Sequence, residues 1–199
     1  MKLILVRHGE TYWNEERRVQ GGGSDTELSD IGVNQVRKLA AFLKNESITA
    51  IISSPLQRAI RTAEAIASYH QLSVEIDAGL EELGVGELEG VSLSSLSTTF
   101  SQFLMRWWQG DGSERLPGGE SLIELQKRAW LAIEHLLARH EDGAIVVVSH
   151  YFVILAIILK ALDLPLEYFT KFKVDTGGVS ILEIEDYGTR LVAFNNKMW

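Results

Sequence analysis

No cysteine occurs anywhere in the chain, which excludes disulfides and every metal site built on thiolates. Long apolar runs are missing too. The greasiest stretch, YFVILAIIL from Tyr151 to Leu159, is broken by Lys160 and falls well short of the ~20 residues a membrane span needs. The run behind Met1 and Lys2 ends at Arg7, too short for the roughly 7–15 apolar residues of a signal-peptide core. Positive charge is scarce as well. Nineteen lysines and arginines face 27 aspartates and glutamates, a net charge of −8, which argues against non-specific nucleic-acid or anionic-membrane binding. Any anionic ligand must be captured by a local cluster of cations. These absences lead us to expect a soluble, cytoplasmic protein.

What is present suits one domain with a sizeable core: 199 residues, 46% hydrophobic and 23% charged,. Apolar runs predict strands at Lys2–Val6, Thr49–Ile52, Ser73–Ile76 and Ala144–Val148. Val179–Ile184 and Arg190–Phe194, joined by EDYGT, predict a hairpin,. Between them lie helical patterns. Ser29–Asn45 opens on a cap at Ser29 or Asp30 and repeats apolar residues at Val33, Val36, Leu39, Ala40 and Leu43,. Leu56–Tyr69, the segment from Gly118 to His140, and Tyr151–Leu162 complete the set, the last apolar on nearly every side and ended by Asp163-Leu164-Pro165,. Strands alternating with long helices imply α/β architecture, a mostly parallel sheet between two helical layers. Neither repeats nor linkers are visible, so we expect a single domain, residues 1–199. Its least regular part, around 83–118, is Ser/Thr-rich and then aromatic, and reads as a helical or irregular insertion.

In open α/β sheets, ligands bind beyond the carboxyl ends of the strands. The first strand delivers Arg7 and His8 there, and the second leads into SSPLQRAIRTAE, with Arg58 in the first turn of a helix. The third is followed by GLEELGVGELEG, with Glu81, Glu82, Glu87 and Glu89, and the fourth ends on His150 as a helix begins. Arginines match phosphate oxygens, and a helix amino-terminus adds backbone donors. A neutral histidine attacks phosphorus, and a carboxylic acid protonates the leaving oxygen. The combination points to phosphoryl transfer without a cofactor.

Each residue alone has a plainer explanation. One histidine after a strand is more often structural, Arg58 beside Arg61 is more often a solvated face, and VQGGGSD alone is a flexible turn. That turn lacks the Lys-Ser/Thr of a Walker-type phosphate loop. A metal held by His8, His150 and carboxylates is the competing chemistry, although neither histidine has the i, i+4 partner of zinc helices. Their joint occurrence at successive strand ends is what favours the phosphate reading.

With those residues set out, the chain resembles the histidine phosphatase superfamily, in its phosphoglycerate-mutase-like branch. The resemblance rests on RHGET at Arg7–Thr11, Asn14, RVQG at Arg18–Gly21, DTELSDIG at Asp25–Gly32 and SSPLQRAIRTAE at Ser53–Glu64. It continues through LEELGVGELEG at Leu80–Gly90, PGGES at Pro117–Ser121 and VVVSH at Val146–His150. It implies that His8 is the nucleophile, that Arg7, Arg58 and His150 surround the phosphoryl group, and that Glu82 rather than Glu81 is the acid. Asn14, Gly21 and Tyr151 would contact the substrate, and no metal or other cofactor would be needed. Two departures stand out. Tyr151 and Phe152 follow His150 where glycine is common, and the QGGGSD loop is one residue longer than usual. Members of the family either return the phosphate to a sugar acid or give it to water. The short segment from Gly90 to Pro117 favours hydrolysis of a small phosphomonoester of the phosphoserine, α-ribazole phosphate, sugar phosphate or phosphoglycerate type. A mutase and a non-catalytic phospho-ligand-binding module are the alternatives, and the assembly expected is a monomer or homodimer.

Overall fold

A computed structural model describes residues 1–140 and 142–197, with the backbone alone for residues 97–99. Six strands form one sheet: β1 (Lys2–Arg7), β2 (Ile48–Ser53), β3 (Val74–Ile76), β4 (Ala144–Ser149), β5 (Val179–Glu185) and β6 (Gly188–Asn196). Their order across the sheet is β3-β2-β4-β1-β5-β6. The first four run parallel, and β5 and β6 close one side as an antiparallel hairpin. The expected three-layer arrangement is therefore present.

Why β1 is apolar at four consecutive positions follows from its surroundings. Leu3 and Leu5 point into one core, and Ile4 and Val6 into the other, all fully buried. Strands covered on both faces lose the alternation of half-exposed ones. Helices α2 (Asp30–Leu43) and α3 (Gln57–Ala67) pack on one face, through Leu39, Leu43, Ala63 and Ile66. Helices α6 (Leu122–Arg139) and α7 (Tyr151–Ala161) cover the other, through Leu125, Ile133, Ile154 and Ile158. Each such fully buried leucine or isoleucine contributes about 1.5–3 kcal/mol relative to exposure.

Caps set the helix starts. Ser29, not Asp30, caps α2 by accepting the Gly32 N–H, and a Ser121–Glu124 capping box opens α6, each worth about 1 kcal/mol. Val33 departs from its expected core position. It is 45% exposed on the outer side of α2, because the helix turns only Gly32, Val36, Leu39, Ala40 and Leu43 inward. The segment around 83–118 is more ordered than its composition suggests. A four-residue helix, α1 (Tyr12–Glu15), follows β1, and two helices, α4 (Leu93–Thr99) and α5 (Ser101–Gln109), lie between β3 and α6. None of the segment joins the sheet.

Candidate active site

The parallel register of β1 and β4 pairs Arg7 with Ser149. The next residue on each strand is a histidine, so His8 and His150 leave the sheet side by side. His8 N–H donates to the Ser149 carbonyl at 3.1 Å, and the two imidazole centroids lie 5.1 Å apart. Strand β2 flanks β4 on its other side, and Ser54 N–H donates to the Val148 carbonyl at 3.0 Å. This brings the Ser54 hydroxyl 2.7 Å from Nε2 of His150. Three strand ends therefore meet at one point.

Hydrogen bonds set the tautomers of both rings. Nδ1 of His8 lies 2.7 Å from the Gly9 carbonyl oxygen. A carbonyl only accepts, so Nδ1 carries the proton and Nε2 keeps its lone pair. The Ser54 hydroxyl has no acceptor among the described residues besides Nε2 of His150, which leaves the His150 proton on Nδ1. Burial, then the nearby Arg58 cation, holds the pKa of both histidines well below the ordinary 6.5. Both are neutral at physiological pH.

Arg58 is fully buried and points inward, whereas Arg61 is on the solvated side of α3. Its guanidinium donates to the Ser24 carbonyl at 2.7 Å and the Gly21 carbonyl at 2.9 Å. The glycine-rich loop thus wraps the arginine. Gly21 is packed so closely that a Cβ there would lie 2.5 Å from Val85 Cγ2 and 2.6 Å from the Leu83 carbonyl oxygen. Burial lowers the Arg58 pKa to about 10, against the opposing pull of the Glu82 charge, so the side chain stays cationic. Arg7 donates to the Val174 carbonyl at 2.7 Å and its guanidinium carbon lies 5.3 Å from the Tyr151 ring centroid.

Glu82 is buried. Its carboxylate accepts the Leu83 N–H at 2.8 Å and the Phe152 N–H at 3.4 Å. Burial raises its pKa, and those N–H groups with the Arg7 and Arg58 cations oppose the rise without cancelling it. Glu81 is only half-buried and does not line the same cavity.

That cavity, of about 370 Å³, is lined at one end by Arg7, His8, Asn14 and Glu82. Arg58 and His150 stand behind this end, fully enclosed. Six buried side-chain polar atoms make no hydrogen bond among the described residues, and four of them belong here: Arg7 Nε, Arg58 Nε, His150 Nδ1 and Gln20 Nε2. A buried donor left unpaired costs about 1–3 kcal/mol, so four donors around one spot mark a place built for an anion. No group of three or more His, Asp or Glu side chains among the described residues is arranged to hold a metal ion.

The model of the histidine phosphatase superfamily (branch 1) matches residues 3–197. The chain belongs to that family. It is 38% identical over 165 residues to the probable phosphoglycerate mutase GpmB of Proteus mirabilis, an alignment covering 83% of this chain and 76% of the relative. Among solved structures, it matches a mycobacterial glucosyl-3-phosphoglycerate phosphatase complexed with VO3 with a TM-score of 0.91 at 26% identity, 98% of each chain being covered. A phosphoserine phosphatase from Entamoeba histolytica, in complex with phosphoserine, gives a TM-score of 0.88 at 30% identity, covering 98% of this chain and 97% of that one.

Of the residues singled out in the sequence of this histidine phosphatase, Arg7, His8, Asn14, Glu82 and Tyr151 line the cavity. Asn14 accepts the Thr11 N–H and hydroxyl on Oδ1, both at 3.1 Å, which keeps Nδ2 as its donor. Gly21 is not a lining residue; its carbonyl holds Arg58 instead. Tyr151 does not block the crevice, because its hydroxyl is tied to the Phe172 carbonyl at 3.2 Å.

Sequence reading passed over the residues that hold these in place. Ser54 orients His150, and the Thr62 hydroxyl accepts the Gly9 N–H at 3.1 Å, fixing the turn after His8. Arg128 on α6 donates to the carbonyls of Gly79, Glu81 and Glu82 while paired with Glu120 at 2.7 Å. It clamps the loop carrying Glu82. The available signal was an arginine interrupting the apolar pattern of α6, one residue before Ala129.

Proposed function

We propose that this protein is a phosphomonoester hydrolase that works through a phosphohistidine on a small phosphorylated metabolite. The observation that carries the reading is the Nδ1–Gly9 hydrogen bond, which leaves Nε2 of a neutral, buried His8 as a nucleophile beside two arginines.

Nε2 of His8 attacks phosphorus, the N–P bond forms as the P–O bond to the alcohol breaks, and Glu82 gives its proton to the leaving oxygen. Arg7, Arg58 and the His150 Nδ1–H stabilise the equatorial oxygens, whose charge is what the transition state spreads. Water then attacks the phosphohistidine. Glu82, now a carboxylate, takes the water proton, phosphate is released and Nε2 of His8 is free again. Asn14 and Gln20 supply neutral donors at the edge of the site.

Release of inorganic phosphate from a panel of phosphomonoesters tests the proposal. Steady turnover of at least one is expected, and a chain that turned over none, p-nitrophenyl phosphate included, would be a binding module. Because protein cations provide the positive charge, activity should survive exhaustive chelation. Loss on chelation with rescue by one divalent ion would favour a metallohydrolase.

A mutase reading deserves its own test, because the 38% identical relative is named a probable phosphoglycerate mutase. With 3-phosphoglycerate and a bisphosphoglycerate primer, isomerisation should be slower than phosphate release from the best substrate. The reverse order would make the protein a mutase.

A further inference from the structure

The two ends of the cavity differ in chemistry. Beyond Arg7, His8, Asn14 and Glu82, its walls include Leu88, Leu93, Leu96, Leu104, Trp107 and Phe152, drawn from the loop after Glu82, from α4, α5 and α7. Trp108 completes this side. The leaving group must occupy this end, since His8 and the arginines hold the phosphoryl group at the other.

The apolar wall is built, not incidental. Trp108 stacks on Phe169 with centroids 5.1 Å apart, and Trp107 meets Phe169 edge-on at 5.4 Å and Phe152 at 5.8 Å. The indole N–H of Trp107 donates to the Glu114 carbonyl at 3.0 Å. Phe152, two residues after His150, is thus the link that docks α5 over the site. Yet Leu93 and Trp108 remain 44% and 42% exposed. Apolar surface held rigid and open on a cavity wall is surface that an apolar ligand covers.

The same lining lacks what a charged leaving group needs. Apart from Arg7, the one cation among the described lining residues is Arg18. Its guanidinium is already engaged, with Glu16 at 2.6 Å and with the Gly90 carbonyl at 3.0 Å. Gln20 and Asn14 are neutral amides, suited to hydroxyl or phosphoryl oxygens. The carboxylate of phosphoserine or phosphoglycerate would therefore be set against leucine and tryptophan with the Glu16-paired Arg18 as its one cation besides Arg7, which is less favourable than burying an apolar group there.

We propose that the substrates of this site are phosphomonoesters of uncharged, predominantly apolar alcohols, and that α5 with Phe152 sets that specificity. The inference rests on the hydrolase reading above. It separates this chain from the phosphoserine and glucosyl-3-phosphoglycerate phosphatases it resembles, whose substrates carry carboxylates.

Comparing n-hexyl phosphate with O-phosphoserine and 3-phosphoglycerate tests it, since all three are alkyl esters that need the same acid catalysis. The kcat/KM for n-hexyl phosphate should exceed both others by about 10²-fold, the scale of one or two methylene contacts in an apolar pocket. Trp108→Ala, with its fold checked by circular dichroism, should lower the ratio of hexyl to methyl phosphate kcat/KM about tenfold. Leu93→Arg should shift preference towards phosphoserine. Equal or better turnover of either carboxylate substrate by the native protein overturns the specificity while leaving the hydrolase reading standing, as does an unchanged hexyl-to-methyl ratio in Trp108→Ala. Refusal of every ester, p-nitrophenyl phosphate included, overturns both.

Discussion

His8→Ala should lose turnover of every phosphomonoester by about 10⁵-fold or more, the scale on which removal of a covalent nucleophile is felt. No neighbour can replace it. His150 is the nearest imidazole, but its Nε2 is occupied by Ser54 and its Nδ1 carries the proton. Brief incubation of the native protein with labelled substrate should leave phosphate on the chain that is labile in acid and stable in base, and the variant should take up none. Turnover at a native rate by His8→Ala would sink the mechanism.

The variant should also fold, so that lost activity is not lost structure. Alanine removes one buried ring and one donor to the Gly9 carbonyl, a cost of about 1 kcal/mol for the hydrogen bond plus a packing term. Its acid sensitivity should fall at the same time. His8 and His150 have folded pKa values held well below the ordinary 6.5, so the unfolded chain binds more protons as pH drops. Their contribution to stability is fully present above pH 6.5 and is lost as pH falls towards the folded values. With one of the two histidines gone, the slope of melting temperature against pH below that point should be shallower.

The strands of the sheet core were legible because burial on both faces writes them as unbroken apolar runs, as at Leu3–Val6 and Val146–Val148. The sheet order was not. Nothing local to Ala144–Ser149 says that it inserts between β1 and β2, and that insertion is what sets His8 beside His150 and Ser54 behind it. The site's charged members were visible as motifs at strand ends, whereas their supports were not. Ser54, Thr62 and Arg128 act through single long-range hydrogen bonds, which leave no periodic trace. The segment from Leu93 to Gln109 read as irregular because serine and threonine weaken helical pattern; tertiary aromatic contacts of Trp107 with Phe152 and Phe169 supply the order instead. Val33 was misplaced for a related reason: apolar identity does not reveal which side of a helix the sheet will cover.

Glu82→Gln should separate substrates by their leaving groups. An alkoxide leaves poorly unless protonated, and in the proposed mechanism His8 is already engaged as nucleophile. Glu82 is the carboxyl group on the cavity wall, and burial raises its pKa despite two arginines. Glutamine keeps the shape and still accepts the Leu83 N–H, but it has no acidic proton to give. General acid catalysis is typically worth about 10²–10⁴-fold, so n-hexyl phosphate should slow by that order, whereas p-nitrophenyl phosphate, whose phenolate leaves unaided, should slow by less than about tenfold. Native kcat on the alkyl ester should fall as pH rises through the raised Glu82 pKa, because only the protonated form donates. Stability should move the other way. A folded pKa above the ordinary 4.5 means that Glu82 favours the fold fully below pH 4.5 and less as pH climbs through the folded value. Glutamine removes that pH-dependent penalty, although its amide N–H would face the Phe152 N–H, so the melting temperature of the variant relative to the native protein should rise from acid to neutral pH. Slower turnover joined to that relative rise is the signature of a group kept for chemistry at the expense of the fold. Equal losses on both esters would remove Glu82 as the acid, and a larger loss in Glu81→Gln would transfer the role to its neighbour.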